Sequence, residues 1–266
     1  MKRIARLEHF ARAGYLARAL VYFLLGYLTL ATAHAEGTAS VLDDIRNLPA
    51  GRVVLIATAV GLIGYGIFRI YGAALDIQGA GAGWTGMAKR VGHVGSGIAH
   101  LVLAYLAVRL ALDSGGGAGG SSGGTQAAET IMDFPGGWIV LGLIGIGFVG
   151  AAFNQAVKAA TANFMYLLDI DAPRWAEAVG RIGYAARAVV FLVLGWHILE
   201  SAWSTDAQQI GFQAALESLQ SMTWLYQAVA AGLLVFGIFS LVMARYRKIR
   251  DQNVIDRITG GTARPI

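Results

Sequence analysis

The chain has 266 residues, of which 56% are hydrophobic and 14% charged, with a mean hydropathy of +0.57 and a net charge of +5. A soluble domain has about a quarter charged residues, so this composition indicates a membrane protein. The absence of cysteine excludes disulfides, thiolate catalysis and cysteine-bound metals. Because the basic residues flank apolar runs, they are expected to contact the membrane surface, and no nucleic-acid partner is predicted.

Six apolar windows are long enough to cross a bilayer, which takes about 20 helical residues. They lie near 13–34, 51–72, 91–112, 137–158, 182–203 and 224–245. A helix satisfies its own backbone hydrogen bonds in lipid, and no alternating pattern typical of a barrel is present. The first window is too long for a signal peptide and is interpreted as a retained helix. The predicted fold is therefore all-α, with residues 1–266 forming a single membrane domain.

The distribution of Lys and Arg predicts the orientation. With Arg18 and Arg187 counted with the helix ends that they adjoin, the two termini and the loops near 69–90 and 158–181 hold most of the 21 basic residues. The exceptions are Arg46, Arg52 and Arg109. Under the positive-inside rule, both termini and these two loops are expected in the cytoplasm.

An internal repeat organises the six windows. Three segments align without gaps at the starts of the odd-numbered windows, namely Arg12–Arg18, Arg90–Ser96 and Arg181–Arg187, and the match continues to Tyr22, His100 and Phe191. The even-numbered windows match more loosely. This predicts three parallel two-helix repeats, at 9–79, 89–169 and 180–250, around a pseudo-threefold axis along the membrane normal, unlike inverted-repeat transporters.

Short amphipathic stretches precede the even-numbered windows, near 41–45, 127–131 and 214–219. Their apolar spacing predicts short helices lying at the outer membrane interface. The Gly/Ser-rich run at 114–124 predicts a flexible loop, and residues 251–266 a cytoplasmic tail. The stretch 164–168 is expected to lie on the inner membrane surface.

Two motifs resemble a known family. The Arg-x-Gly-Tyr-x-Ala-Arg opening and the Leu-Pro-Ala-Gly-Arg segment at 48–52 are similar to those of the bacterial membrane family called domain of unknown function 1206. The resemblance covers about the whole chain in three copies. The second copy departs from it with His93 and Ser96, and the third lacks the proline-glycine segment. The resemblance implies a six-helix protein of the bacterial inner membrane and no established activity.

Arg12, Arg90 and Arg181 are expected at the cytoplasmic starts of the odd-numbered helices. One interpretation is a threefold anion-binding ring, since helix N-termini favour anions. The other is topology and headgroup contact, at about 1 kcal/mol per residue near an anionic leaflet.

Arg18 and Arg187 lie six residues further along, about 9 Å deeper. Their side chains could reach back to the cytoplasmic surface. Alternatively, they face the interior of the bundle, as functional charges in membrane helices usually do.

His93 and His100 share one helix face but lie about 10.5 Å apart along the axis, too far to bind one ion together. A haem would need another histidine on a different helix. The equivalent positions in the other repeats are aromatic, which favours packing.

Arg109 and Glu200 occupy equivalent repeat positions near the outer surface, so an ion pair between repeats is predicted, with a gating role as a speculation. No catalytic, cofactor-binding or metal-binding residues are predicted. The leading hypothesis is a non-enzymatic structural or interaction role, with the lipid bilayer and its cytoplasmic anionic headgroups as partners. The alternative is a channel or transporter for a small solute or ion, and the third hypothesis is a haem or redox protein.

Overall fold

A computed structural model of the chain describes residues 2–32, 38–46, 50–76, 80–81, 83–112, 128, 131–204 and 212–247. In this part of the chain there is no β-strand, and a single isolated antiparallel bridge pairs Leu168 with Arg247. The all-α prediction is confirmed. The loop predicted at 114–124 and the tail predicted at 251–266 lie outside the described residues.

The chain forms long helices joined by short ones. In chain order they are α1 (Lys2–Thr32), α2 (Thr38–Arg46), α3 (Gly51–Ala74), α4 (Trp84–Ala111), α5 (Gly137–Thr161), a 3-10 helix (Asn163–Leu167), α6 (Trp175–Ser204), α7 (Phe212–Glu217) and α8 (Thr223–Tyr246). Residues 12–31 of α1 and the whole of α3, α4, α5, α6 and α8 are long and apolar enough to cross a membrane. The prediction of six helices that could span a bilayer is confirmed.

The long helices group into three units: α1 with α3, α4 with α5, and α6 with α8. We call the end where α1, α4 and α6 begin the basic end, and the opposite end the capped end. The second helix of each unit packs against the first helix of the next, so that α3 contacts α4, α5 contacts α6, and α8 contacts α1. This interface recurs three times.

The interface within a unit recurs only twice. Helix α1 packs on α3 and α6 packs on α8, but no comparable interface joins α4 to α5 in the described residues. The order of packed neighbours is therefore α4, α3, α1, α8, α6, α5. Because the second unit is splayed apart, the structure does not confirm the predicted pseudo-threefold symmetry.

The core of the capped half is mainly apolar, and the short helices complete it. Leu25, Leu55 and Leu233 are fully buried there. Leu42 of α2 and Leu216 of α7 are also fully buried and join the same core. The short helices were predicted to lie at the outer membrane interface. Their apolar faces pack into the protein and cover the capped end.

A 3-10 helix fills the basic end beside α6. The ring of Phe164 lies 5.0 Å from that of Tyr184 and 4.9 Å from that of Phe239. The absence of a side chain at Gly180 leaves room for it. The expectation that 164–168 lies on the membrane surface is therefore wrong for Phe164 and Leu168, which are buried in the protein, while Tyr166 is exposed.

Candidate functional site

Arg18 lies inside the bundle, where α1 meets both α3 and α8. Only 6% of its surface is exposed. Its Nε donates a hydrogen bond to Ser240 Oγ at 3.1 Å, and its Nη1 donates to the Tyr65 hydroxyl at 3.0 Å. Its buried Nη2 has no hydrogen-bond partner. Arg18 therefore does not extend back to the membrane surface, and it presents an unused donor to the interior.

Aromatic rings surround the Arg18 guanidinium. Its central carbon lies 4.5 Å from the ring centre of Tyr15, 5.4 Å from Tyr65 and 4.8 Å from Phe236. Each such contact contributes about 0.5 to 2 kcal/mol of cation–π attraction. The rings stabilise the cation without neutralising it.

Arg187, the repeat equivalent of Arg18, reaches the same aromatic cluster from α6. Its guanidinium lies 4.6 Å from the ring centre of Phe236, 4.8 Å from Phe191 and 5.3 Å from Tyr22. Its Nε is buried and has no hydrogen-bond partner. Two units thus bring their equivalent arginines to a single ring, Phe236.

Two further cations lie beside this cluster. Arg69 of α3 has its guanidinium 5.8 Å from the ring centre of Tyr65, and its buried Nε has no hydrogen-bond partner. The Lys158 ammonium of α5 lies 5.5 Å from the ring centre of Tyr184. We call Arg18, Arg69, Arg187 and Lys158 the cationic cluster.

No carboxylate offsets the charge of the cationic cluster within the helices that could cross the membrane. The segments long and apolar enough to cross it, 12–31 of α1 and the whole of the other five long helices, contain two acidic residues, Glu177 and Glu200, both on α6. Glu177 forms a 2.9 Å salt bridge with Arg181 near the start of that helix. Glu200 lies about 20 Å further along the axis than Arg187. The cluster therefore combines several cations with unpartnered donors and no internal counter-ion.

In the predicted ring of Arg12, Arg90 and Arg181, two arginines bind the carbonyl end of a neighbouring helix and the third does not share these contacts. Arg90 donates to the carbonyls of Ala73 and Ala74 at the end of α3, at 2.7 and 3.1 Å. Arg181 donates in the same way to Ala159 and Ala160 at the end of α5. These two arginines donate to carbonyls in the last turn of a helix, where intrahelical donors run out.

Arg12 differs from its two repeat equivalents, since its Nε is buried without a hydrogen-bond partner. The structure therefore does not bring the three together as one ring of free cations.

His100 packs beside the cationic cluster. Its ring centre lies 4.6 Å from that of Tyr65, and its Nδ1 is 2.6 Å from the Ser96 carbonyl oxygen. Within the described residues no group of three or more His, Asp or Glu side chains is placed to hold a metal. His93 lies two helical turns nearer the basic end, on the same face of α4 as His100, and is partly buried.

The predicted ion pair between Arg109 and Glu200 does not form in the described structure. Both side chains are exposed, and the Arg109 guanidinium lies 5.9 Å from the ring centre of Tyr105 on its own helix. Residues at equivalent positions of parallel repeats lie at the same depth in the membrane. An ion pair between them also requires that both side chains face the interior of the bundle.

The structure also reveals residues that sequence analysis missed: Tyr65, Arg69, Lys158, Phe236 and Ser240. All lie on the second helix of a unit, where the repeat is hard to align. The sequence did contain a signal for two of them. Arg69 and Lys158 each lie near the end of an apolar window that has no acidic residue to pair with them.

The fold and this site define a class of multi-pass helical membrane proteins built from three helix pairs. The family model described as Domain of Unknown Function (DUF1206) matches residues 13–76, 91–162 and 182–247. The chain belongs to this family, as the motifs indicated. It is 30% identical over 254 residues to the uncharacterized protein YxxB of Bacillus subtilis (strain 168), covering 91% of each chain. No solved structure matches it.

Proposed function

We propose that this chain is a non-enzymatic protein of the bacterial inner membrane that binds an anionic group at the cationic cluster. The observation that carries the proposal is Arg18. It is 6% exposed, has a buried unpartnered donor and faces no carboxylate in the membrane-spanning sequences.

The energetic argument concerns the cost of burying charge. A charge within the hydrocarbon region costs several kcal/mol unless it is paired or reaches water. The Ser240 and Tyr65 hydroxyls and the aromatic rings supply dipoles and quadrupoles but no opposite charge. A bound anion would supply that charge and accept hydrogen bonds from the free donors, which is the strong form of arginine recognition.

The chemistry of the site supports binding rather than catalysis. Guanidinium groups stay protonated in proteins, so Arg18, Arg69 and Arg187 are poor general acids and bases. Transport through the centre receives no support from the apolar core of the capped half, where Leu25, Leu55 and Leu233 are fully buried.

The basic end would face the cytoplasm. It carries most Lys and Arg residues, and the anionic cytoplasmic leaflet attracts such segments. A reporter that works only outside the cytoplasm should then be active when fused at Gly119. A reporter that works only in the cytoplasm should be active when fused after Ile266. A cytosolic reporter at Gly119 would contradict the orientation.

Anion binding can be tested on full-length protein delipidated in dodecyl maltoside, which carries neither charge nor phosphate. Sodium phosphate or phosphatidylglycerol should raise the melting temperature relative to sodium chloride of equal ionic strength. At a ligand concentration 100 times Kd, the stabilisation is about 2.7 kcal/mol.

Arg18→Gln should remove most of this stabilisation. Arg109→Gln is the matched control, because Arg109 is exposed and lies near the capped end. Equal responses of wild type and Arg18→Gln to both ligands would overturn the proposed function.

A further inference from the structure

Close helix contacts fix how units one and three correspond. Gly14 of α1 lies against Tyr65, so closely that a Cβ would overlap that residue, and its repeat equivalent Gly183 lies in the same way against Phe236. Tyr65 therefore corresponds to Phe236. Four residues further along, Arg69 of α3 corresponds to Ser240 of α8.

A second pair of contacts fixes unit two. Gly26 lies against the backbone of Leu234, and its equivalent Gly195 lies in the same way against Val149. Leu234 therefore corresponds to Val149. Six residues further along, Ser240 corresponds to Gln155 of α5, so Arg69, Gln155 and Ser240 are equivalent.

With this correspondence the three interfaces between units can be compared. At one of them the arginine and the neutral polar residue lie on the opposite helices from the other two. At the interface of α8 with α1, Ser240 bonds Arg18. At the interface of α5 with α6, the equivalent positions hold Gln155 and Arg187.

At the interface of α3 with α4 the residue types are exchanged. The second helix of unit one supplies Arg69, and the first helix of unit two supplies Ser96. Each interface thus contains one arginine and one neutral polar residue at the same level, although the arginine changes sides.

The three arginines share aromatic neighbours. Arg18 and Arg187 both face the Phe236 ring, at 4.8 and 4.6 Å, and Arg18 and Arg69 both face the Tyr65 ring, at 5.4 and 5.8 Å. Each has one buried nitrogen without a hydrogen-bond partner: Nη2 of Arg18, and Nε of Arg69 and of Arg187. The unpartnered donors therefore come from all three interfaces.

We propose that Arg18, Arg69 and Arg187 form one site for a phosphate group, with Arg69 replacing the arginine that unit two lacks at Ser96. The proposal rests on the proposed function and names its ligand. A phosphate carries its charge on tetrahedral oxygens, which accept hydrogen bonds from several directions, whereas a carboxylate is planar. Arginine forks match phosphate oxygens in pairs. The phosphate is either a lipid headgroup or inorganic phosphate from the cytoplasm.

The test compares three variants of the full chain in dodecyl maltoside. Arg69→Ser should weaken phosphate binding about tenfold or more, as expected for a lost hydrogen bond to a charged group. The exchange Arg69→Ser with Ser96→Arg places the guanidinium where units one and three have it, and should restore binding to within about threefold of wild type. Arg109→Gln should bind as wild type does.

Two probes distinguish the source of the phosphate. Inorganic phosphate is titrated against delipidated protein by calorimetry, and phosphatidylglycerol retention is counted by native mass spectrometry. Binding of inorganic phosphate assigns the soluble ligand, and retention of phosphatidylglycerol alone assigns the headgroup.

The two proposals fail in different ways. If Arg18→Gln abolishes binding but Arg69→Ser does not, the three-arginine site is overturned and the proposed function stands. If neither probe binds wild-type protein, both fall. If Arg69→Ser loses binding and the folded exchange variant, with an unchanged melting temperature, does not regain it, Arg69 does not replace the arginine missing at Ser96.

Discussion

The two halves of the bundle differ in what they bury, since the capped half has a mainly apolar core and the basic half encloses cationic side chains. Around Leu25, Leu55 and Leu233 the capped half buries mainly apolar surface, together with the hydroxyl side chains of Thr29 and Ser201, and α2 and α7 cover its end. The basic half buries Arg18 with Arg187 beside it, held by aromatic rings and hydroxyl groups. The first half is built for stability. The second half retains uncompensated charge. Charge inside a membrane is costly, and charged residues kept there usually have a function.

Truncating the cover of the capped half should have the largest effect. Leu42→Ala removes a fully buried side chain of α2 and should cost about 2 to 5 kcal/mol, through lost transfer energy and the resulting cavity. The loss would be seen as a lower melting temperature of purified protein. Leu143→Ala is the matched control, because Leu143 on α5 is 64% exposed and should cost far less. Equal losses in the two variants would show that α2 does not seal the core.

Overpacking a helix contact in the same half should cost less, about 1 to 3 kcal/mol. In Gly26→Ala the new methyl group would overlap the α8 backbone at Leu234, and in Gly195→Ala it would meet the side chain and backbone of Val149 on α5 less closely. Both variants should therefore lose thermal stability, and Gly26→Ala should lose more.

The control for these variants is Gly147→Ala on α5, where no atom lies within 4 Å of a new Cβ. It should be neutral or slightly stabilising, since alanine favours helix more than glycine does. A Gly26→Ala protein as stable as Gly147→Ala would contradict the close contact of α1 with the α8 backbone.

The two halves also differ in how far the sequence predicts them. Hydropathy and basic flanks predict the six helices, because lipid leaves the backbone few choices. The gap-free repeat predicts that Tyr15, Arg18 and Tyr22 share positions with Tyr184, Arg187 and Phe191. Four of these six residues, Arg18, Tyr22, Tyr184 and Arg187, do meet around Phe236.

Arg69 could not be assigned from the sequence alone. The second helices of the units match loosely, and their register follows only from the contacts of Gly14, Gly26, Gly183 and Gly195. The same limit applies to Phe164, whose insertion depends on the space that Gly180 leaves. In each case the missing information is which faces of two distant helices touch.

The smallest change in stability is expected at Arg18, a charge buried inside the bundle. Arg18→Met, measured without phosphate or anionic lipid, should alter the free energy of unfolding by no more than about 1 kcal/mol. Replacing a buried charge with an apolar side chain of similar size is often neutral or stabilising. Ser240 and Tyr65 each lose Arg18 as a donor, but the Ser240 hydroxyl still donates to the Phe236 carbonyl at 2.9 Å.

With phosphate or phosphatidylglycerol added, the same substitution should remove the stabilisation that wild type gains. A variant that is stable alone and unresponsive to anions would show that the basic half serves binding. If Arg18→Met instead lowered ligand-free stability as much as Leu42→Ala, Arg18 would be a structural tie between α1, α3 and α8. The contrast between the two halves would then disappear.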